Sequence, residues 1–159
     1  MAAKVSSETG IDCHEVAVCT CLGLRRVGRM ATQIFDAHLQ PARLTIGQFG
    51  LLTQIYANAI VGSPLTMKAL SSAVGMDPTT LNRTLKPLEL EKLIRTAQDT
   101  NDRRARCIHI TVSGRKRLER AMPLWHAADA EFRRTLGMET KLALNGLLGL
   151  ATEKLRKSE

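Results

Sequence analysis

Two groups of side chains in this 159-residue chain have the types and spacing to do chemistry. The first is Cys13-His14, followed by Cys19-x-Cys21. Thiolate and imidazole are the ligand types for zinc or copper, and the thiols are also candidates for oxidation. The second group is polar and basic: Thr79, Thr80, Asn82, Arg83 and Lys86, then Arg103, Arg104 and Arg106. A guanidinium donates in a fixed fork that matches phosphate oxygens and guanine edges. The two groups make different demands on the fold. A metal or disulfide needs its atoms within bonding reach, whereas recognition of a polyanion needs the bases on one exposed surface.

The cysteines fit the first demand poorly. On a helix, positions 19 and 21 point roughly 200° apart, so only an unwound start brings them together. There is no Cys-x-x-Cys, Gly-x-Ser-x-Gly or phosphate-binding glycine loop, which weighs against a thiol oxidoreductase, a metal carrier or another enzyme. No metal and no cofactor is expected. The chain is too large to need disulfide staples, so the four cysteines, Cys107 included, are expected as thiols in a reducing compartment. Cys107 is expected on an outer strand, exposed. The start, Met1 to Gly10, lacks the apolar stretch of an export signal. The uncharged run Leu44 to Met67 contains Gln48, Gln54, Asn58 and Pro64, which argues against a membrane span. A cytoplasmic location is expected, with no membrane partner.

The second demand agrees with the charge. Lys and Arg number 23 against 15 Asp and Glu, a net +8 that favours anionic partners. Between Thr79 and Arg117, ten bases and four acids leave +6 of that excess in 39 residues. Aromatic residues make up only 3%, too few for a surface that stacks single-stranded bases. Double-stranded DNA, held by helix and arginine, is the better-supplied partner. Hydrophobic residues at 44% provide for a core.

The elements that must position these bases follow from local signals. The apolar spacing predicts a first helix over about 13–39, closed by Pro41. Thr45 and Gln48 form a capping box for a second helix, which carries Phe49, Leu52, Ile55 and Tyr56 and stops before Gly62-Ser63-Pro64. Thr66 caps a short helix, 67–74, ended by Gly75. Asp77 caps the next, with Pro78 at its first position. There Leu81, Leu85 and Leu88 form a buried stripe opposite Thr79, Thr80, Asn82, Arg83 and Lys86, and Pro87 is expected to bend the helix. A hairpin follows: Ile94 to Asp99, a turn over 100–104, and Ala105 to Ile110. Arg106, Ile108 and Ile110 share one face, with the isoleucines inward. Thr111 caps a long helix through Leu118, Met122, Trp125 and Phe132, which Pro123 is expected to kink. A last helix, about 139–157, carries Leu142, Leu144, Leu147, Leu148, Leu150 and Leu155.

Two short helices joined by a tight turn and followed by a basic hairpin describe a winged helix-turn-helix. A helix fits the major groove of B-DNA, and an arginine-bearing hairpin tip fits the narrower, more negative minor groove. At this point the sequence resembles the multiple-antibiotic-resistance regulator (MarR) family of bacterial winged-helix repressors. Leu65-Thr66-Met67-Lys68-Ala69-Leu70 through Leu81-Asn82-Arg83 resembles the family's helix-turn-helix. Asp99-Thr100-Asn101-Asp102-Arg103-Arg104 resembles its wing motif, Asp-x-Arg-Asp-x-Arg, with Asn101 in place of the first arginine. Thr111-x-x-Gly114-Arg115 resembles the start of the helix that follows.

The resemblance implies a mainly α fold and a single domain over 1–159. Residues of about 45–111 would form the winged helix-turn-helix, and about 13–40 and 115–157 long dimerisation helices. It implies a homodimer on a pseudo-palindromic operator with half-sites about 10 bp apart, repression relieved by a small-molecule effector, and Asp99 and Asp102 as residues that hold the wing. The apolar breadth of the last helix independently favours a partner. A variant of the same fold, a repressor switched by oxidation at Cys13, Cys19 or Cys21, is also implied, with Arg25 and Arg26 placed to lower a thiol pKa if they face it.

Overall fold

A computed structural model describes residues 16–63, 65–98 and 106–157. The chain divides between Gln33 and Ile34 into two compact units. The first contains most of helix α1 (Thr20–Leu39). Val16, Val18, Leu22, Leu24, Val27 and Met30 are all exposed there. The continuous helix expected from residue 13 is interrupted in its described part. Val16 and Ala17 are helical, but Val18 is a turn and Cys19 precedes the regular helix. The Cys19 carbonyl accepts from Gly23 N at 3.0 Å, the role of a residue at a helix start. The β-branched Val16 and Val18 are poor helix formers and offer no side-chain cap, so the break falls among them.

In the second unit, α1 ends in a 3₁₀ turn (Gln40–Ala42), and Asp36 Oδ1 accepts from Ile46 N at 2.6 Å, tying that end to helix α2 (Ile46–Val61). The capping box is formed as expected: Thr45 Oγ1 accepts from Gln48 N, and Gln48 Oε1 from Thr45 N. Helix α3 (Met67–Val74), helix α4 (Pro78–Leu90), strands β1 (Ile94–Gln98) and β2 (Arg106–Ile110), helix α5 (Val112–Leu136) and helix α6 (Met138–Arg156) complete the order. The described residues are thus mainly helical, with one antiparallel hairpin in the register Ile94↔Ile110 to Gln98↔Arg106. Both helices that contain a proline run past it, α4 to Leu90 and α5 to Leu136.

The core lies where α2 meets α4, the hairpin and α5. Leu51, Leu52 and Ile55 from α2, Leu70 from α3, and Leu81 and Leu88 from α4 are all at most 1% exposed. Each such side chain contributes about 1.5–3 kcal/mol on leaving water. Cys107 corrects the expectation of exposure, being only 3% exposed. Its strand β2 is not an edge: β1 flanks one side and Leu65–Thr66 the other, where Ile108 N donates to Leu65 O at 2.9 Å and Thr66 bridges Cys107. Helix α2 packs against the same strand, so β2 is covered on both sides.

One glycine is required by close approach. A Cβ on Gly114 would run into the Leu93 backbone carbonyl and the Ile110 side chain. The first turn of α5 therefore lies directly on the chain between α4 and the hairpin. Thr111 strengthens that junction, capping Gly114 N and donating its hydroxyl to the carbonyls of Lys92 and Leu93. Helix α6 is held to α5 by Lys141–Asp129 at 2.6 Å and to α3 by Arg156, which donates to the Ala73 carbonyl at 3.1 Å. It buries none of its residues.

Candidate nucleic-acid interface

Helices α3 and α4 are joined by a turn whose geometry is set at both ends. Thr66 Oγ1 accepts from Ala69 N at 3.1 Å to open α3, and Gly75 closes it at φ +63°, a left-handed conformation that glycine adopts without penalty. Ser71 Oγ donates to the Met76 carbonyl across the turn. Asp77 Oδ1 then accepts from the amides of Thr79 and Thr80 at 2.9 and 3.0 Å, opening α4. The hydroxyl of Thr80 first, and then these amides, hold the Asp77 carboxyl below its ordinary pKa.

The two faces of α4 separate cleanly. Leu81, Leu85 and Leu88 are buried at i, i+4 and i+7. Thr79, Asn82, Arg83 and Lys86 are exposed, at i, i+3, i+4 and i+7 on the other side. Arg83 and Lys86 make no ion pair among the described residues. Thr80 differs from the other four, being half-buried with its hydroxyl engaged by the Asp77 cap. A helix presenting donors along one exposed face has the shape and polarity to enter a major groove.

The hairpin stands beside that helix. Its tip, including Asp99, Asp102, Arg103 and Arg104, lies outside the described residues. Arg106 is exposed at the start of β2, and one of its terminal nitrogens donates to Thr96 Oγ1 at 3.2 Å. That hydroxyl in turn donates to Glu89 Oε1 at 2.6 Å. Arg117 is likewise engaged within the protein, donating to Glu91 at 3.0 Å and to the Ala42 carbonyl at 3.2 Å. It serves as a brace between α5, the end of α4 and the 3₁₀ turn. Lys92, Arg95, Arg115 and Lys116 are exposed. The structure thus brings the α4 bases and Arg106 to neighbouring elements, and it adds two residues that the sequence reading missed, Glu89 and Thr96. Thr96 lies two residues after the inward Ile94 and so shares its face of β1, and that period-2 pattern was the available signal.

Of the cysteines, Cys19 and Cys21 are exposed free thiols. Cys13 and His14 lie outside the described residues. Among the described residues, no three His, Cys, Asp or Glu side chains come together as a metal cluster, and no helix is long and apolar enough to cross a membrane.

A helix-turn-helix braced by an antiparallel hairpin and followed by a long helix defines the winged helix-turn-helix class of DNA-binding proteins. The profile of the MarR family matches residues 44–105, the span from the start of α2 into the hairpin. The transcriptional regulator MosR of M. tuberculosis, solved in complex with DNA, is 32% identical, covering 87% of this chain and 98% of that one with a TM-score of 0.72. The S. aureus MepR–DNA complex has the same fold at 24% identity, covering 86% of this chain and 98% of that one with a TM-score of 0.71. The uncharacterized HTH-type transcriptional regulator YwaE of Bacillus subtilis is 23% identical over 91% of this chain and 82% of its own length. The chain belongs to the MarR family. It is a transcriptional regulator, not an enzyme.

Proposed function

We propose that the protein is a cytoplasmic, homodimeric repressor that binds a pseudo-palindromic operator in double-stranded DNA and is released by a small-molecule effector. The observation that carries this reading is the two-sided α4, which seats three leucines in the core and turns Thr79, Asn82, Arg83 and Lys86 outward. These four, with Thr80 at the capped first turn, read base edges. Arg103, Arg104 and Arg106 place the wing on the backbone or in the minor groove, and Asp99 and Asp102 hold its tip. MosR and MepR, both solved with DNA, support the DNA partner.

In this reading residues 1–159 act as one domain, with 13–40 and 115–157 forming the dimer. The support is the apolar surface on α6, where Leu142, Leu147, Leu150 and Leu155 are all more than half exposed. Burying such a row between two copies favours association. The effector acts by favouring a dimer conformer whose two recognition helices no longer match the half-site spacing.

The test is recovery of bound fragments from genomic DNA by the purified protein. An enriched inverted repeat with half-sites about one helical turn apart is expected; no enriched sequence contradicts the reading. The exposed thiols of Cys19 and Cys21 favour a second version, in which oxidation rather than a bound effector releases DNA. Repeating the recovery with peroxide, on the wild type and on single substitutions of Cys13, Cys19 and Cys21, separates the two. Binding indifferent to peroxide removes the thiol switch.

A further inference from the structure

The inner half of the hairpin is fastened to the core by apolar packing. Ile94, Ile108 and Ile110 are 2%, 2% and 7% exposed. Further out, on the face toward α3 and α4, this packing gives way. Between α3, α4 and the hairpin there is an open cleft of about 580 Å³, edged by Met67, Lys86, Glu89, Thr96 and Arg106. Across it runs a polar chain in which every group has a compatible role. Arg106 donates to the Thr96 hydroxyl at 3.2 Å, and that hydroxyl donates to Glu89 at 2.6 Å. Arg106 and Thr96 are diagonal neighbours on one face of the hairpin, since Gln98 pairs with Arg106 and Thr96 with Ile108. Glu89 belongs to the last turn of the recognition helix.

We infer that Glu89 and Thr96 are positioning residues: through Arg106 they fix the outer half of the wing against the recognition helix, so that both elements meet DNA in one geometry. A hydroxyl that accepts from a cation while donating to an anion gives two charge-assisted bonds, each stronger than a neutral one. It also sets a direction, because the Thr96 side chain is held from both ends. The inference rests on the DNA-binding reading proposed above but makes a separate demand. By charge alone, an acidic residue near the DNA-facing bases opposes binding, and its removal improves affinity. The relay requires the opposite.

The experiment compares wild type with Thr96→Val, Thr96→Ser, Glu89→Ala and the Glu89→Ala/Thr96→Val pair. The probes are the duplex recovered from genomic DNA and hydrogen exchange of the hairpin amides in the free protein. Thr96→Val and Glu89→Ala each weaken binding about tenfold, the scale of one lost charge-assisted bond. The pair is no weaker than either single variant, and Thr96→Ser behaves as wild type. Amides of the outer half, 96–98 and 106–107, exchange faster in Thr96→Val without DNA present. Unchanged hairpin exchange in Thr96→Val overturns the inference, as does a Glu89→Ala protein that binds as tightly as wild type or more tightly. If the wild type recovers no duplex, the DNA reading fails and the exchange measurement alone decides the relay.

Discussion

Helices α4 and α6 are built from similar material and end in opposite environments. Helix α4 carries Leu81, Leu85 and Leu88 at 0%, 5% and 1% exposure, and α6 carries Leu142, Leu147 and Leu155 at 62%, 65% and 69%. The recognition helix is complete within its own chain: its apolar stripe is covered, its N-terminus capped, and its polar face free. Helix α6 is anchored by two polar ties, Lys141–Asp129 and Arg156 to the Ala73 carbonyl, with no buried side chain of its own. Spacing gives α4 one apolar stripe, whereas the leucines of α6 spread more broadly around that helix. What also separates them is which surface supplies the cover, and for α6 the proposed cover is a second copy of the chain.

That contrast is broken most severely at Gly114. Gly114→Ala sets a methyl group against the Leu93 carbonyl, a backbone atom that cannot step aside. We expect a loss of about 3 kcal/mol of unfolding free energy, the upper range for forcing an extra carbon into a packed site, measured by urea titration. Recognition helix, hairpin and α5 meet there, so near-wild-type stability would mean that the junction is looser than described.

Leu147→Ala probes the other side of the comparison. It removes a side chain that is 65% exposed in the single chain, so monomer stability changes little. The proposed dimer loses about 2 kcal/mol for each leucine it buries, read by sedimentation as a shift toward monomer. Unchanged self-association would remove this part of α6 from the interface.

A smaller effect is expected at Asp77. Its folded pKa lies below its ordinary value, first because of the Thr80 hydroxyl and then because of the Thr80 and Thr79 amides. A carboxyl with a lowered folded pKa stabilises the fold above its ordinary range near 3.8, and that contribution disappears as pH falls through the lowered value. Asp77→Ala should therefore lower the melting temperature slightly at pH 7, and by less in strong acid, where the ionised carboxylate's share of the cap is gone from the wild type too. Asp77→Asn should retain most of the cap. A pH-independent difference between Asp77→Ala and wild type would contradict this account.

The sequence was most legible where the physics is local. Thr45, Thr66, Asp77 and Thr111 each cap the helix expected of them, because capping depends on a side chain and amides two or three residues away. The α4 stripe was equally readable from its spacing. What failed depended on distant parts of the chain. Cys107 is buried by its pairing with Thr66, which nothing in its own strand announces. The link from Glu89 to Thr96 to Arg106 requires the hairpin register and its placement on α4 together. The break at Val18–Cys19 was hidden by apolar spacing that continues through it. A sequence shows which residues want cover more readily than it shows what covers them.

The central claim is that the exposed face of α4 reads DNA sequence, and Arg83 tests it most directly. It is exposed, makes no ion pair among the described residues, and sits one turn after Thr79 on the outward stripe. Binding of Arg83→Ala should be measured on the recovered duplex and on an unrelated duplex across a range of salt. The account predicts a loss of about 1–3 kcal/mol on the recovered duplex, with a much smaller loss on the unrelated one, so that sequence preference narrows. Equal affinity and undiminished preference in Arg83→Ala would contradict it.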